Sequence, residues 1–246
     1  MLKINRSGSI ADVIASVRDV PARLVPYAAA TALTRTAKYA ADTSLPAAMK
    51  KAFHSPVAYT LNSLRIEPAT AASLSARVMV KNQAAGVAPE NFLQPEVEGG
   101  GRKHKKMEAA LRYAGVLNAG QYALPGKAMS LDAHGNVKGA DVRTILKSLK
   151  NIRGAASTGR RRGAKLKNDL MVGKPRGGNR PNGIWRREGR ALGERRLRPL
   201  FVFASQAPSY APRLDFSGVV AEVAQTRFAK EFETAMAAMV AKGFRT

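Results

Sequence analysis

Residues 150–182 show no hydrophobic periodicity and are rich in Gly, Arg and Lys, with few large apolar side chains, so this stretch has little with which to form a core. The fold has to be assembled from the residues on either side, and the stretch itself reads as a long exposed or partner-ordered basic arm. The flanks have modest means. The chain has 246 residues, enough for one large domain or two small ones, but 43 of them are Ala and only 6% are aromatic. Helices packed on small side chains are expected, with the remaining burial completed by neighbouring molecules.

Periodicity supplies the elements. Ser9 can cap a short helix with Ile10, Val13, Ile14 and Val17 on one stripe, ending by Pro21. A longer Ala-rich helix is predicted from about Pro21 to Ala41, and Ser44 and Pro46 open another over Leu45 to Phe53. Leu64 and Ile66, then Leu74, Ala76, Val78 and Val80, alternate with polar residues, which predicts a β-hairpin connected by Pro68 to Ser73. Residues 82–101 read as a Pro/Gly-rich surface segment. Helices are then predicted over about Arg102 to Tyr113, with Arg102, Lys103, Lys105 and Lys106 outward, and over about Ala140 to Leu149. Strand-like runs return at Gly183 to Arg186 and Leu197 to Ala204 and are expected to pair with the earlier hairpin. A long amphipathic helix from Phe216 closes the chain.

Charge points to the partner. Lys and Arg number 41 against 17 Asp and Glu, a formal +24, which suits nucleic acid, an anionic surface or an acidic protein. From Lys147 to Arg198 there are 17 basic residues against Asp169, Glu188 and Glu194, leaving +14 in that segment. The residues expected to make the contacts are Arg160, Arg161, Arg162, Lys165, Lys167, Lys174, Arg176, Arg186, Arg187, Arg195, Arg196 and Arg198. On DNA they would bind phosphates without reading sequence; threading between acidic protein neighbours is equally compatible. Trp185 is the one aromatic ring in the segment, a weak basis for stacking on bases.

The catalytic inventory is poor. No cysteine is present, which removes thiolate nucleophiles and Cys-based metal sites, and no phosphate loop, nucleophile elbow or zinc helix signature occurs. His54, His104 and His134 are scattered. Asp132-x-His134 is the best candidate pair, yet a turn ending in Gly135-Asn136 accounts for both polar residues. Glu90, Glu96, Glu98 and Glu108 are read as surface carboxylates. No enzyme activity, metal or cofactor is expected. Arg6, Asp12, Arg18, Asp19 and Arg23 interrupt every candidate window for a secretory signal, and nowhere do 18 apolar residues run together as a membrane-spanning helix needs.

Val25-Pro26-Tyr27-Ala28-Ala29-Ala30-Thr31-Ala32-Leu33-Thr34-Arg35-Thr36-Ala37, a proline followed by an alanine-rich helix with a Thr-Arg step, resembles the opening helix of the minor tail protein Z (tail completion) family of tailed bacteriophages. Leu74-Ser75-Ala76-Arg77-Val78-Met79-Val80-Lys81 is similar to that family's basic strand pair. The polybasic middle and the C-terminal helix after Ser209-Tyr210-Ala211-Pro212-Arg213-Leu214-Asp215-Phe216 follow in the same order. Phe92 to Gly100 and Gly183 to Arg187 look like segments common in phage structural proteins. The chain departs from short members of the family by its length, chiefly through residues 82–140. The resemblance implies a virion structural protein of the neck or upper tail, made in the host cytoplasm and joining head to tail.

The expected fold is α+β, helix-rich at both ends around a small antiparallel sheet, with the long basic extended arm. Its parts are residues 1–81 (helices and hairpin), 82–149 (loop-rich insert with two helices), 150–182 (arm) and 183–246, completing the first domain. The expected partners are further copies around a symmetric channel, portal or connector, tail-terminator or other neck proteins, and genomic DNA through its phosphates, with no membrane. A stand-alone nucleic-acid-binding or packaging protein is the alternative.

Overall fold

The computed structural model describes residues 24–83, 86–157, 170–176, 179–188 and 196–241, with backbone alone at 150–157. The helix expected between Ser9 and Pro21 lies outside the described residues. Two compact units emerge, one made of residues up to Gly99 together with those from Ala211 on, the other of Gly100–Tyr210. The class is mixed helix and antiparallel sheet, as expected. The domain division differs from the sequence reading: residues 183–210 belong to the second unit, and only the part after Tyr210 rejoins the first.

The first unit is built on two helices far apart in sequence, α1 (Val25–Tyr39) and the last helix, Phe216–Ala241. Pro26 sits in the first turn of α1, where a missing N–H costs nothing. Ala28, Ala29, Ala32 and Ala37 form a smooth buried face against Val220, Val223, Phe228, Phe232 and Met236 of the last helix. The alanines add little hydrophobic area, but they let the axes approach closely enough for the aromatic rings opposite to be covered.

Ser44 does not cap a new helix: it is itself in helical conformation with no side-chain cap bond. The chain instead passes through a π-helical turn, Ala40–Ser44, into α2 (Leu45–Ala52). Pro46 has no N–H for the Asp42 carbonyl, and the Leu45 N–H reaches back to Ala40, giving the wider turn. A short helix, α3 (Ala58–Leu61), precedes the predicted hairpin, β1 (Leu64–Glu67) paired antiparallel with β2 (Arg77–Val80).

The segment 82–101 is not a surface loop. It contains α4 (Glu90–Glu98), whose Leu93 is buried with Met49 and Leu214. Its proline and glycines delimit a helix: Pro89 is the N-cap and Gly99, at φ +78° and ψ −172°, takes a positive-φ extended conformation open to glycine that ends it. The Glu96 carbonyl accepts the Arg213 and Leu214 N–H groups, and its carboxylate accepts the Arg213 guanidinium at 2.7 Å.

The second unit starts with β3 (Gly100–Gly101), which pairs with β8 (Ser209–Tyr210). Between them come α5 (Lys106–Tyr113), β4 (Tyr122–Pro125), α6 (Gly139–Ser157), β5 (Leu170–Gly173), β6 (Gly183–Glu188) and β7 (Arg196–Ala204). The strands form one antiparallel sheet in the order β4-β7-β6-β5. Leu111 of α5 and Ile145 and Leu149 of α6 close the core over Ala123, Leu170, Ile184, Leu200, Phe201 and Phe203. The runs at 183–188 and 196–204 therefore pair with each other and with β4, not with the hairpin, which stands as a separate two-stranded sheet. Gly183 opens β6 because a Cβ there would collide with the Phe201 carbonyl oxygen.

Of the basic arm expected at 150–182, residues 158–169 and 177–178 lie outside the described residues, and the described parts differ from it. The backbone of 150–157 prolongs α6, and Leu170–Gly173 is an edge strand with Leu170 in the core. Three apolar residues, Leu170, Met171 and Val172, are too few to show a period but enough to pair with β6. Among the described residues no helix is long and apolar enough to cross a membrane.

Replacing Ala32 by Leu puts extra methylenes into the closed contact between the first and last helices and is expected to cost about 1–3 kcal/mol. Arg35→Leu on the exposed side of α1 should leave the unfolding midpoint, followed by circular dichroism, close to wild type. Equal midpoints for both variants would show that the helices are not closely packed.

Candidate basic interface

Of the twelve residues expected to bind a partner, Arg160, Arg161, Arg162, Lys165, Lys167 and Arg195 lie outside the described residues. The sheet of the second unit separates the others into two places. Lys174 and Arg176 follow β5 in its turn to β6, next to the pair Gly173 and Gly183. Arg186, Arg187, Arg196 and Arg198 sit at the other end of the same strands, roughly 10–17 Å away at about 3.3 Å per residue.

That end is a built cluster. A register shift between Ile184 and Trp185 brings Arg186 opposite Arg198 and Glu188 opposite Arg196. Directly paired residues share a face, so these four side chains project on one side of the sheet and Arg187, opposite Leu197, on the other. The Glu188 carboxylate accepts Arg186 Nη2 at 2.7 Å and Arg198 Nε at 2.9 Å. One carboxylate between two guanidiniums orients them without cancelling their charge, and exposed pairs of this kind contribute about 0–1 kcal/mol. Arg187 and Arg196 are exposed and have no acidic partner among the described residues. The cluster presents fixed positive charge suited to phosphates or carboxylates.

Trp185 does not join it. The ring is 4% exposed, so no base can stack on it, and the sequence-based suggestion of aromatic base stacking is withdrawn.

The strongest electrostatic feature of the unit was hidden in the sequence. Glu108, read as a surface carboxylate, is completely buried, and Arg102, expected to point outward, is 8% exposed and bound to it. The helix begins at Lys106 instead of Arg102, which lets the preceding chain fold back. Arg102 donates two hydrogen bonds to the Glu108 carboxylate, at 2.6 and 2.9 Å, and the Lys105 and Ala123 N–H groups donate at 2.7 and 2.9 Å. Arg102 also lies over the Tyr122 ring, with His104 stacked on it at 4.3 Å, and Tyr210 of β8 is beside the guanidinium. The legible signal was Glu108 three residues after Lys105, the spacing at which an N3 glutamate reaches back to the N-cap N–H.

Burial alone would push the Glu108 carboxyl up. The Arg102 guanidinium and the two amides overcome that and hold it at about 2. Four donors occupy the carboxylate, which leaves it poorly placed as a base and well placed as a tie between the start of α5, β4 and the β3–β8 pair.

Asp132 and His134 form the turn expected of them. Asp132 Oδ1 accepts the His134 and Asn136 N–H groups at 2.9 and 2.8 Å, and Gly135 has φ +77°. The Asn136 amide is the main cause of a carboxyl below its ordinary value. Among the described residues no group of three His, Asp or Glu side chains converges as a metal site. The chain matches no protein-family model, no curated protein and no solved structure.

Because the folded-state value of Glu108 lies below its ordinary value of 4.5, its contribution is complete above that value and is lost as the pH falls toward 2. Unfolding of the second unit can be followed through Trp185, the only tryptophan. Glu108→Gln should lower its stability at neutral pH by about 3–5 kcal/mol, since Arg102 is then buried without its counter-ion, and should flatten the loss between about pH 5 and 2. A variant as stable as wild type, with the same acid profile, would remove the tie from the account of the fold.

Proposed function

We propose that this chain is a bacteriophage virion structural protein of the head–tail junction or upper tail, acting in several copies in tail completion and in seating the genome end. The observation that carries the reading is the guanidinium cluster of Arg186, Arg196 and Arg198, held on one face of paired strands while the one aromatic ring of the segment is buried. Rigid strands offering charge and no stacking surface or base-reading geometry suit a polyanion or an acidic neighbour met at a fixed place in an assembly. The order of the Ala-rich opening helix, hairpin, basic segment and closing helix, which resembles the tail completion family, supports the same reading. The alternative is a stand-alone nucleic-acid-binding or packaging protein.

The test is complementation of a phage lacking the chain with Arg186→Ala, Arg196→Ala and Arg198→Ala combined. All three side chains are exposed, so the Trp185 unfolding midpoint should stay near wild type while the yield of joined, genome-filled particles falls about tenfold or more. Wild-type yield from the folded variant would contradict the role given to the cluster. Tight binding of the free wild-type chain to bare duplex at physiological salt, with a steep log–log salt slope, would favour the alternative.

A further inference from the structure

Among the described residues the hairpin of the first unit has one open edge. The Lys81 N–H donates to the Ser63 carbonyl at 2.8 Å, which sets the phase of the β1–β2 ladder. Met79 with Arg65, and Arg77 with Glu67, are then the hydrogen-bonded pairs, and Val80 with Leu64 and Val78 with Ile66 the non-bonded ones. The N–H and C=O groups of Val78 and Val80 therefore point away from β1, and among the described residues none of them has a hydrogen-bond partner. The β1 side is different: it lies against α1 and the π turn, and Thr34 Oγ1 accepts the Ala69 N–H at 3.0 Å just beyond it.

A groove of about 450 Å³ follows the open edge. Its apolar lining is Val78, Met79, Val80, Val97 and Phe216, and one wall is α4, presenting Glu90, Gln94 and Glu98 at successive turns. Gln94 Nε2 donates to Glu98 at 2.9 Å, which keeps that carboxylate on the wall. Across the groove Arg65 is the one cation of the lining. Two carboxylates thus border an apolar slot in a chain of net charge +24.

We propose that this groove receives an extended segment of a second copy of the chain, added to β2 as a third strand. The inference rests on the multi-copy assembly reading and deepens it by naming a contact surface. The backbone of the incoming strand meets the free groups of Val78 and Val80, its alternate apolar side chains enter the slot, and its Lys or Arg side chains meet Glu90 and Glu98. Charge complementarity selects another copy of this basic chain, with 41 Lys and Arg against 17 acids. A two-stranded hairpin gains most from such an addition, because two strands alone are marginal.

Sedimentation equilibrium of the full-length chain, at low and high salt, tests this with three variants. Val80→Pro removes an outward N–H and leaves the bonds to β1 in place. Val80→Ala shortens the side chain but keeps the N–H. Glu90→Lys with Glu98→Lys reverses the wall at two exposed positions. Wild type and Val80→Ala should self-associate, more weakly at high salt, while Val80→Pro and the double lysine variant raise the dissociation constant about tenfold or more. Should Val80→Pro fail to fold, the double lysine variant decides alone. Association of the double lysine variant equal to wild type overturns the groove as the contact, and incorporation of the same variant into particles then shows whether the assembly reading survives it. A wild-type chain that stays monomeric at every concentration also overturns it.

Discussion

The contact between the first and last described helices closes the first unit and sets the terms for everything between them. Ala28, Ala29, Ala32 and Ala37 provide a face with almost no side-chain relief, and Phe228, Phe232 and Met236 supply the bulk that such a face lacks. Neither partner would make a core alone. Because the two helices come from opposite ends of the sequence, the intervening chain is free to contain a complete second unit. That unit is closed by a different device, the Arg102–Glu108 pair, whose four hydrogen bonds tie the start of α5 to β4 close to the strand pair at which the unit begins and ends.

Alanine richness looked like a thin core in the sequence, and the closing helix shows why the inference was incomplete. Small residues are a deficit only when both partners are small. Long, regularly spaced elements were legible: the Ala-rich helix, the hairpin at Leu64 to Val80, and the helix from Phe216. What escaped was short or punctuated. The helix Glu90–Glu98 is bounded by Pro89 and Gly99 and contains Pro95, so its breakers masked Leu93 and Val97 at helical spacing. Strand Leu170–Gly173 is four residues inside a basic, Gly-rich stretch. Beyond the hairpin, strand partners could not be read, because register depends on which apolar faces meet in three dimensions.

The candidate site was legible in kind and not in layout. The basic segment announced itself by charge, but only pairing brings Arg186 opposite Arg198 and sends Lys174 and Arg176 to the other end of the four-stranded sheet. Composition also gave no hint that Trp185 is buried, which turns the surface from a base-stacking platform into a purely ionic one. Glu108 was misjudged because a lone Glu in a Lys-rich stretch normally stays in water; burial becomes affordable here only through donors from three separate places in the chain. The first unit shows the complementary feature, an acidic, apolar slot beside a strand edge that is unpaired among the described residues. The basic ionic surface belongs to the second unit and the acidic slot to the first.

The central claim is that the chain is a fixed part of a virion. Quantitative mass spectrometry of purified phage particles, with heads and tails separated, tests it most directly. A neck or upper-tail component should be present in joined particles at a constant small copy number and should stay with the junction or the tail. Absence from particles, with abundant chain left in the lysate, would contradict the claim and leave a free nucleic-acid-binding or assembly protein in its place.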